Sequence, residues 1–432
     1  KIMRRIKYKL AQFLDKLMSY FLKFNFNNSI KTFFKLLAVD HFLQREFNEK
    51  NNLGAVRSSI TKKSLWSSFI GIRASLNNLG NVYTIKNLDF SRKIEKEVIE
   101  WGKKLINASS STVEGYISSG GTESNLFLMW MGREWLKQFS SNRAALITSG
   151  FTHYSVSKGG RIIGTDRFIT ATDENNWGMD IYGLEETLDN LIKKGYQTFL
   201  IPVTLGYSST GAVDPLEKII KLVDNLQKKS KIKCFVWVDA AMQGLPLAYL
   251  DNQYSPLKNS IIKGYVLDSD KLGLTPVPSG IVLYRKSFRK FIEKKIDYLD
   301  EVDATLLGSR PGFPALAIWS NLVDCSQIKW RKRFFELNQK KLNWISKLKD
   351  LVPGVKIIST PNSLTVGIVV DDSFPRLPRS VENHYGLSLA RVDYKSNSGK
   401  TKTLKHYKIF FLSPNQNHNK LLEDIVSKKK TV

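Results

Sequence analysis

Tyr116–Trp130 reads YISSGGTESNLFLMW and changes character at its centre. A short β-prone run stops at Ser-Ser-Gly-Gly-Thr, and an apolar, helix-prone run follows at once. Gly120 and Gly121 let the backbone approach a ligand closely. Thr122 places a hydroxyl and an N–H at a helix N-terminus, where phosphate is favoured. A strand–helix turn that binds nothing would look the same, since glycine-rich turns are common. The pattern is neither a P-loop nor a dinucleotide fingerprint.

Around this turn, from about 90 to 283, helical stretches alternate with apolar β-like runs. The helical stretches include Arg92–Leu105 and Leu184–Lys194. The β-like runs are Ala144–Thr148, Thr198–Thr204, Cys234–Ala241, Gly264–Asp268 and Gly280–Arg285. Such alternation predicts an α/β fold, a mostly parallel sheet with helices on both faces. Ligands then bind at the carboxyl ends of the strands. Past GSRPG (Gly308–Gly312) the pattern predicts helices over Pro314–Leu322 and Trp330–Leu348. Short strands follow at Val355–Ser359, Leu364–Val370 and Tyr407–Pro414, with Lys395–Lys402 as a loop. This reads as a smaller α/β C-terminal domain.

The chain has 432 residues, 42% of them hydrophobic and 11% aromatic, enough for a large core and for two or three domains. The net charge is +27, from 66 basic and 39 acidic residues. Nucleic acid, a membrane surface or anionic substrates would each suit that charge. However, the lysines are spread along the chain, as a biased codon pool would leave them, and no nucleic-acid motif is recognisable. Cys234 and Cys325 form neither a metal-ligand spacing nor a disulfide framework, which predicts a reducing, cytoplasmic setting and no metal. Leu10, Phe13, Leu14, Leu17, Phe21 and Leu22 recur at helical spacing among basic residues. They predict an amphipathic helix, either a dimer-packing arm or an interfacial membrane contact, too interrupted to span a bilayer.

Three further stretches carry chemistry. His153, in FTHYSVSKGGRIIG (Phe151–Gly164), follows a strand end, where an imidazole stacks on a planar group, transfers protons or is merely held by hydrogen bonds. Asp239 ends an apolar strand in VDAAMQG (Val238–Gly244). There it meets a cation, or else caps a helix or completes a structural ion pair. Ala240 and Ala241 leave room for something flat. Lys271 lies just past a strand end in VLDSDKLGLTPVPSGIVLYR (Val266–Arg285). Such a lysine is exposed and idle, or becomes a Schiff-base nucleophile if its pKa is lowered. A phosphate cradle, a stacking histidine, an aspartate for a pyridinium nitrogen and a Schiff-base lysine, in this order, together describe a site for pyridoxal 5'-phosphate.

The same residues carry a family resemblance. From about 79 to 322 the sequence resembles the group II pyridoxal-phosphate-dependent decarboxylases of fold type I. The matching motifs are SGGTESN, HYSVSKGGR, TLGYSSTGAVDP (Thr204–Pro215), VDAA and GSRPG. Around Lys271 it looks most like archaeal tyrosine/aspartate decarboxylases. The resemblance implies an N-terminal segment over 1–78, a cofactor domain over 79–309 and a small domain over 310–432. It implies an amino-acid substrate, a homodimer with shared sites, and decarboxylation to the amine and carbon dioxide. Lys271 would carry the cofactor, Asp239 would hold its ring nitrogen protonated, and His153 would stack on the ring. Gly120, Gly121, Thr122 and Asp268 would belong to the phosphate side, with Thr204 and Ala241 against the ring. Ser309 would reach the phosphate of a neighbouring subunit. Tyr298 falls where the family has a mobile-loop tyrosine that returns a proton, and Arg391 is a candidate for the substrate carboxylate.

The sequence departs from the family pattern near the lysine. Asp270 stands where the family has histidine, Trp237 where many relatives have histidine, and Tyr207 interrupts Gly-Thr-Thr. Two rival readings follow. One is a carbon–carbon lyase resembling sphingosine-1-phosphate lyase, which shares the turn and GSRPG. The other is a degenerate, non-catalytic scaffold.

Overall fold

The computed structural model describes residues 51–56, 60–85, 88–298 and 301–429, together with 12, 16 and 37–40. The expected amphipathic helix over 10–22 lies almost wholly outside the described residues.

Among the described residues the centre is a seven-stranded sheet of β1 (Val113–Ser118), β2 (Ala145–Thr148), β3 (Asp166–Ile169), β4 (Thr198–Thr204), β5 (Lys233–Asp239), β6 (Ile262–Asp268) and β7 (Gly280–Arg285). Their order is β1-β7-β6-β5-β4-β2-β3. β7 runs antiparallel to both its neighbours and the other pairings are parallel, so the sheet is mostly parallel as expected. Residues of β1, β2 and β4 are buried along their whole length, because helices cover both faces. Ahead of them in the chain lies α1 (Lys62–Arg73), and the covering helices include α2 (Phe90–Leu105), α3 (Gly121–Leu136), α4 (Tyr154–Ile163), α5 (Ile181–Lys193) and α6 (Leu216–Lys229). Their starts are set locally. The Asp89 carboxylate accepts the Arg92 N–H at 2.9 Å, and Asp180 accepts the Gly183 N–H. The sequence pattern did not reveal β3, an edge strand whose residues alternate between half-buried and exposed.

α7 (Gly244–Leu250) follows β5, and the single turn α8 (Ser269–Leu272) follows β6. Beyond β7, the short strands β8 (Lys294–Ile296) and β9 (Glu301–Asp303) pair antiparallel. After α9 (Phe313–Ile318) and α10 (Gln327–Leu351), a four-stranded antiparallel sheet forms from β10 (Ile357–Ile358), β11 (Thr365–Val369), β12 (Ala390–Lys395) and β13 (Thr401–Phe410). Two expectations change here. The loop expected over 395–402 shrinks to a turn at 396–400, closed by the Ser396 N–H to Lys400 carbonyl bond with Gly399 at φ 77°. β13 therefore starts at Thr401 and ends at Phe410, rather than spanning 407–414. Its first residues are polar because one face is open to water, while Leu404 and His406 point inward. Gln243 ties the two sheets together. Its Oε1 accepts the Leu364 N–H at 2.9 Å and its Nε2 donates to Thr365 Oγ1 at 2.8 Å.

Candidate active site

β1 and β6 are both antiparallel to β7, so they run parallel to each other, and β1, β4, β5 and β6 all end on one edge of the sheet. The sheet order turns back on itself there, which is where open α/β sheets bind ligands. A cavity of about 240 Å³ lies at that edge. Gly120, Gly121, Thr122, His153, Thr204, Asp239, Ala241, Asp268 and Lys271 all line it. Tyr298, Ser309 and Arg391 do not. Tyr298 is 84% exposed beyond β8, Ser309 is exposed beside Asn77, and Arg391 is exposed on β12.

The turn between β1 and α3 is shaped by Gly120, at φ 103°, and by close contact at Gly121. A Cβ on Gly121 would stand 2.9 Å from Asp268 Oδ2 and 3.0 Å from the Ala241 Cβ. Glu123 holds the turn from within, accepting the Ser119 N–H at 2.7 Å and the Tyr116 hydroxyl at 2.9 Å. The turn is also braced from outside. Arg310 and Glu95 form a buried ion pair, and Arg310 donates to the carbonyls of Ile117 and Gly80, while Glu95 accepts the Ile117 N–H. The arginine of GSRPG thereby fixes the end of β1.

Asp239 ends β5 and is buried. Its Oδ2 accepts from Asn125 Nδ2 at 2.9 Å and its Oδ1 accepts the Ala241 N–H at 3.1 Å. Asn125 Oδ1 in turn accepts from the Trp237 indole N–H at 2.8 Å. Because an indole can only donate, it orients the Asn125 amide so that its NH₂ faces Asp239. Sequence reading missed Asn125. The available signal was its place one helical turn after Gly121, on the same face of α3. It also missed Asp214, which is buried and receives the Thr204 N–H, the Met179 N–H and the Tyr207 hydroxyl. Burial pushes the Asp214 carboxyl up to about 6. Tyr207, the departure from Gly-Thr-Thr, thereby anchors the loop after β4.

Lys271, on α8, forms an ion pair with Asp268 Oδ2 at 2.8 Å, and the same oxygen accepts the Gly121 N–H at 2.9 Å. Burial pulls the Lys271 amine down, but Asp268, Asp239 and Asp270 outweigh burial and hold it above the ordinary lysine range. Asp270 also lines the cavity and accepts the Ser279 N–H at 3.3 Å. Burial, then the neighbouring Asp268 charge, pushes its carboxyl up to about 7. His153 caps α4 through Nδ1, 2.8 Å from Ser155 Oγ, and burial holds its pKa below the usual imidazole value, favouring the neutral ring.

A family model for the pyridoxal-dependent decarboxylase conserved domain matches residues 72–302. The chain belongs to the pyridoxal-dependent decarboxylases. A tryptophan decarboxylase of Clostridium sporogenes is 28% identical over 270 residues, which cover 60% of this chain and 62% of that protein. A histidine decarboxylase of Klebsiella aerogenes is 27% identical over 329 residues, covering 74% of this chain and 81% of that protein. Among solved structures, L-methionine decarboxylase of Streptomyces sp. 590 superimposes with a TM-score of 0.74 at 16% identity, over 94% of this chain and 95% of that one. That likeness shows the shared fold.

The residues of this pyridoxal-dependent decarboxylase fit the cofactor of its family. Gly120 and Gly121 carry no side chain of their own where a phosphate would approach the N-terminus of α3, and the Gly121 N–H already holds an anionic oxygen, that of Asp268, at 2.9 Å. Across the cavity stand an amine (Lys271) and a carboxylate held as an acceptor (Asp239). Among the described residues no helix is long and apolar enough to cross a membrane.

Proposed function

We propose that this chain decarboxylates an L-amino acid to its amine and carbon dioxide, using pyridoxal 5'-phosphate. The observation that carries this reading is the cavity that gathers Lys271, Asp239 and the Gly120–Thr122 turn at the strand ends. The named relatives, decarboxylases of tryptophan and histidine, support the same chemistry. When bound, the cofactor supplies an electron sink for the charge left at Cα as carbon dioxide departs. Lys271 would hold the cofactor through its amine, which must first lose the proton that Asp268 stabilises. Asp239 would keep the ring nitrogen protonated, because an opposite charge favours the charged form. The Asn125 and Ala241 N–H bonds aim that carboxylate. His153, neutral, would lie against the ring. Thr204 and Ala241 would flank it, and Gly121 and Thr122 would face the phosphate.

A homodimer belongs to this reading. Leu65, Trp66, Phe69, Ile70 and Ile72 on α1 are each more than half exposed, an apolar face that calls for cover. Tyr298 and Ser309 stand outside their own cavity, so any service to a site would be to that of a second copy. There Tyr298 would return the proton to Cα.

The test is carbon dioxide release from single amino acids, begun with aromatic and imidazole ones, by purified protein with added pyridoxal phosphate. Release from one amino acid, absent in Lys271→Ala, is the expected result. An aldehyde in place of carbon dioxide would replace this reading with the carbon–carbon lyase. No product from any substrate, with the cofactor bound, would reject the decarboxylase.

A further inference from the structure

The anionic phosphate arm of the cofactor must share the cavity edge with two carboxylates, and the structure treats them differently. Asp268 is compensated: its Oδ2 meets Lys271 at 2.8 Å and the Gly121 N–H at 2.9 Å. Asp270 is met by neutral backbone donors, the Ser279 N–H at 3.3 Å and its own N–H. It lines the same cavity as Ser119, Gly120, Gly121 and Thr122. The charged groups around it are Asp268 at the end of β6 and Lys271 on its own turn. The cavity's other ionisable side chains are His153 at the start of α4, Tyr207 after β4 and Asp239 at the end of β5. Lys271 is the one cation among them, and it is held on Asp268 Oδ2 at 2.8 Å.

We propose that Asp270 meets the cofactor phosphate as a neutral carboxylic acid, donating its O–H to a phosphate oxygen, so that cofactor binding takes up a proton from solvent at this residue. An ionised Asp270 would be acceptor-only and would repel the phosphate, whereas the acid supplies the hydrogen bond that an uncharged donor would give. The sign of the pH dependence follows. In the free protein the Asp270 carboxyl titrates at about 7, pushed up by burial and by Asp268. Below that pH the acid is already formed and binding is independent of this group. Above it each pH unit costs about tenfold in affinity, since the proton must be recruited from an ever scarcer supply.

The experiment is calorimetric titration with pyridoxamine 5'-phosphate, which carries the phosphate and ring but no aldehyde, so Lys271 chemistry does not enter. Wild-type protein, Asp270→Asn and Asp270→Ser are compared between about pH 6 and 9. The expected result is that wild-type affinity falls about tenfold more steeply per unit above pH 7 than that of either variant. In buffers of different ionisation heat at the alkaline end, wild-type protein should take up close to one proton more than Asp270→Asn. Identical pH profiles in wild type and variants would overturn the proposal, as would Asp270→Asn binding more tightly than wild type even at pH 6. A wild-type affinity that does not fall between pH 7 and 9 overturns it without reference to any variant. This inference rests on the cofactor assignment: a protein that binds at no pH would overturn both, while binding without the pH slope overturns the role of Asp270 alone.

Discussion

Asp239, Asn125 and Trp237 form a chain of hydrogen bonds with a single polarity, from an indole that can only donate to a carboxylate that can only accept. Histidine at 237 could donate or accept according to its tautomer; tryptophan removes that choice. Asp239→Asn should therefore lower kcat by about a hundredfold or more, because the electron sink serves every turnover. Tyr298→Phe should cost less, since it touches only the return of one proton. Steady-state rates of the two variants on one substrate decide, and equal or reversed losses would reject the roles given to both. At this scale much was legible. Gly120, Gly121, Asp239 and Lys271 each sit beside a strand end, and local pattern exposes strand ends. Asn125 was hidden because its one signal, a place one helical turn after Gly121, does not say that this face of α3 also looks toward β5. Arg391 shows the opposite limit: β12 was not foreseen, so the direction of its side chains could not be.

Two elements decide whether the site is assembled. One is the brace at the end of β1, where Arg310 and Glu95 are almost wholly buried. Arg310→Ala leaves Glu95 as a buried charge without a cation and should cost about 3–5 kcal/mol, measured by urea unfolding. The other is the loop after β4. Gly206 sits at φ 103°, and a Cβ there would stand 2.1 Å from the Gln243 Cγ. Gly206→Ala should therefore cost about 1–3 kcal/mol and loosen the Gln243 link to β11. Tm and cofactor affinity measured together would show it, and an unchanged Tm would refute the contact. The helices and strands of the large sheet were readable because their apolar runs are long. β3 and the start of β13 were not, because each keeps one face in water and so reads as polar.

At the level of the whole molecule, the homodimer proposal assigns the exposed apolar face of α1 to contact with a second copy. Trp66→Glu combined with Phe69→Lys should convert a dimer into a monomer in sedimentation velocity; a wild-type protein that sediments as a monomer would dismiss the shared-site reading. The α/β class was written in the alternation of runs from 90 to 283, but the sheet order was not, because periodicity carries no information about which strand lies beside which. That order sets a sequence of events during synthesis. Val113 of β1 pairs with Arg285 of β7, and Gly280, at the start of β7, lies so close to the turn that a Cβ on it would stand 2.6 Å from the Gly120 Cα. The turn that opens α3 therefore waits, after it leaves the ribosome, for a strand made much later in translation. A nascent chain halted before β7 lacks the wall behind its cradle. Loading with the vitamin-derived group is thereby deferred until the large sheet has closed, and only chains that have passed that checkpoint can hold it.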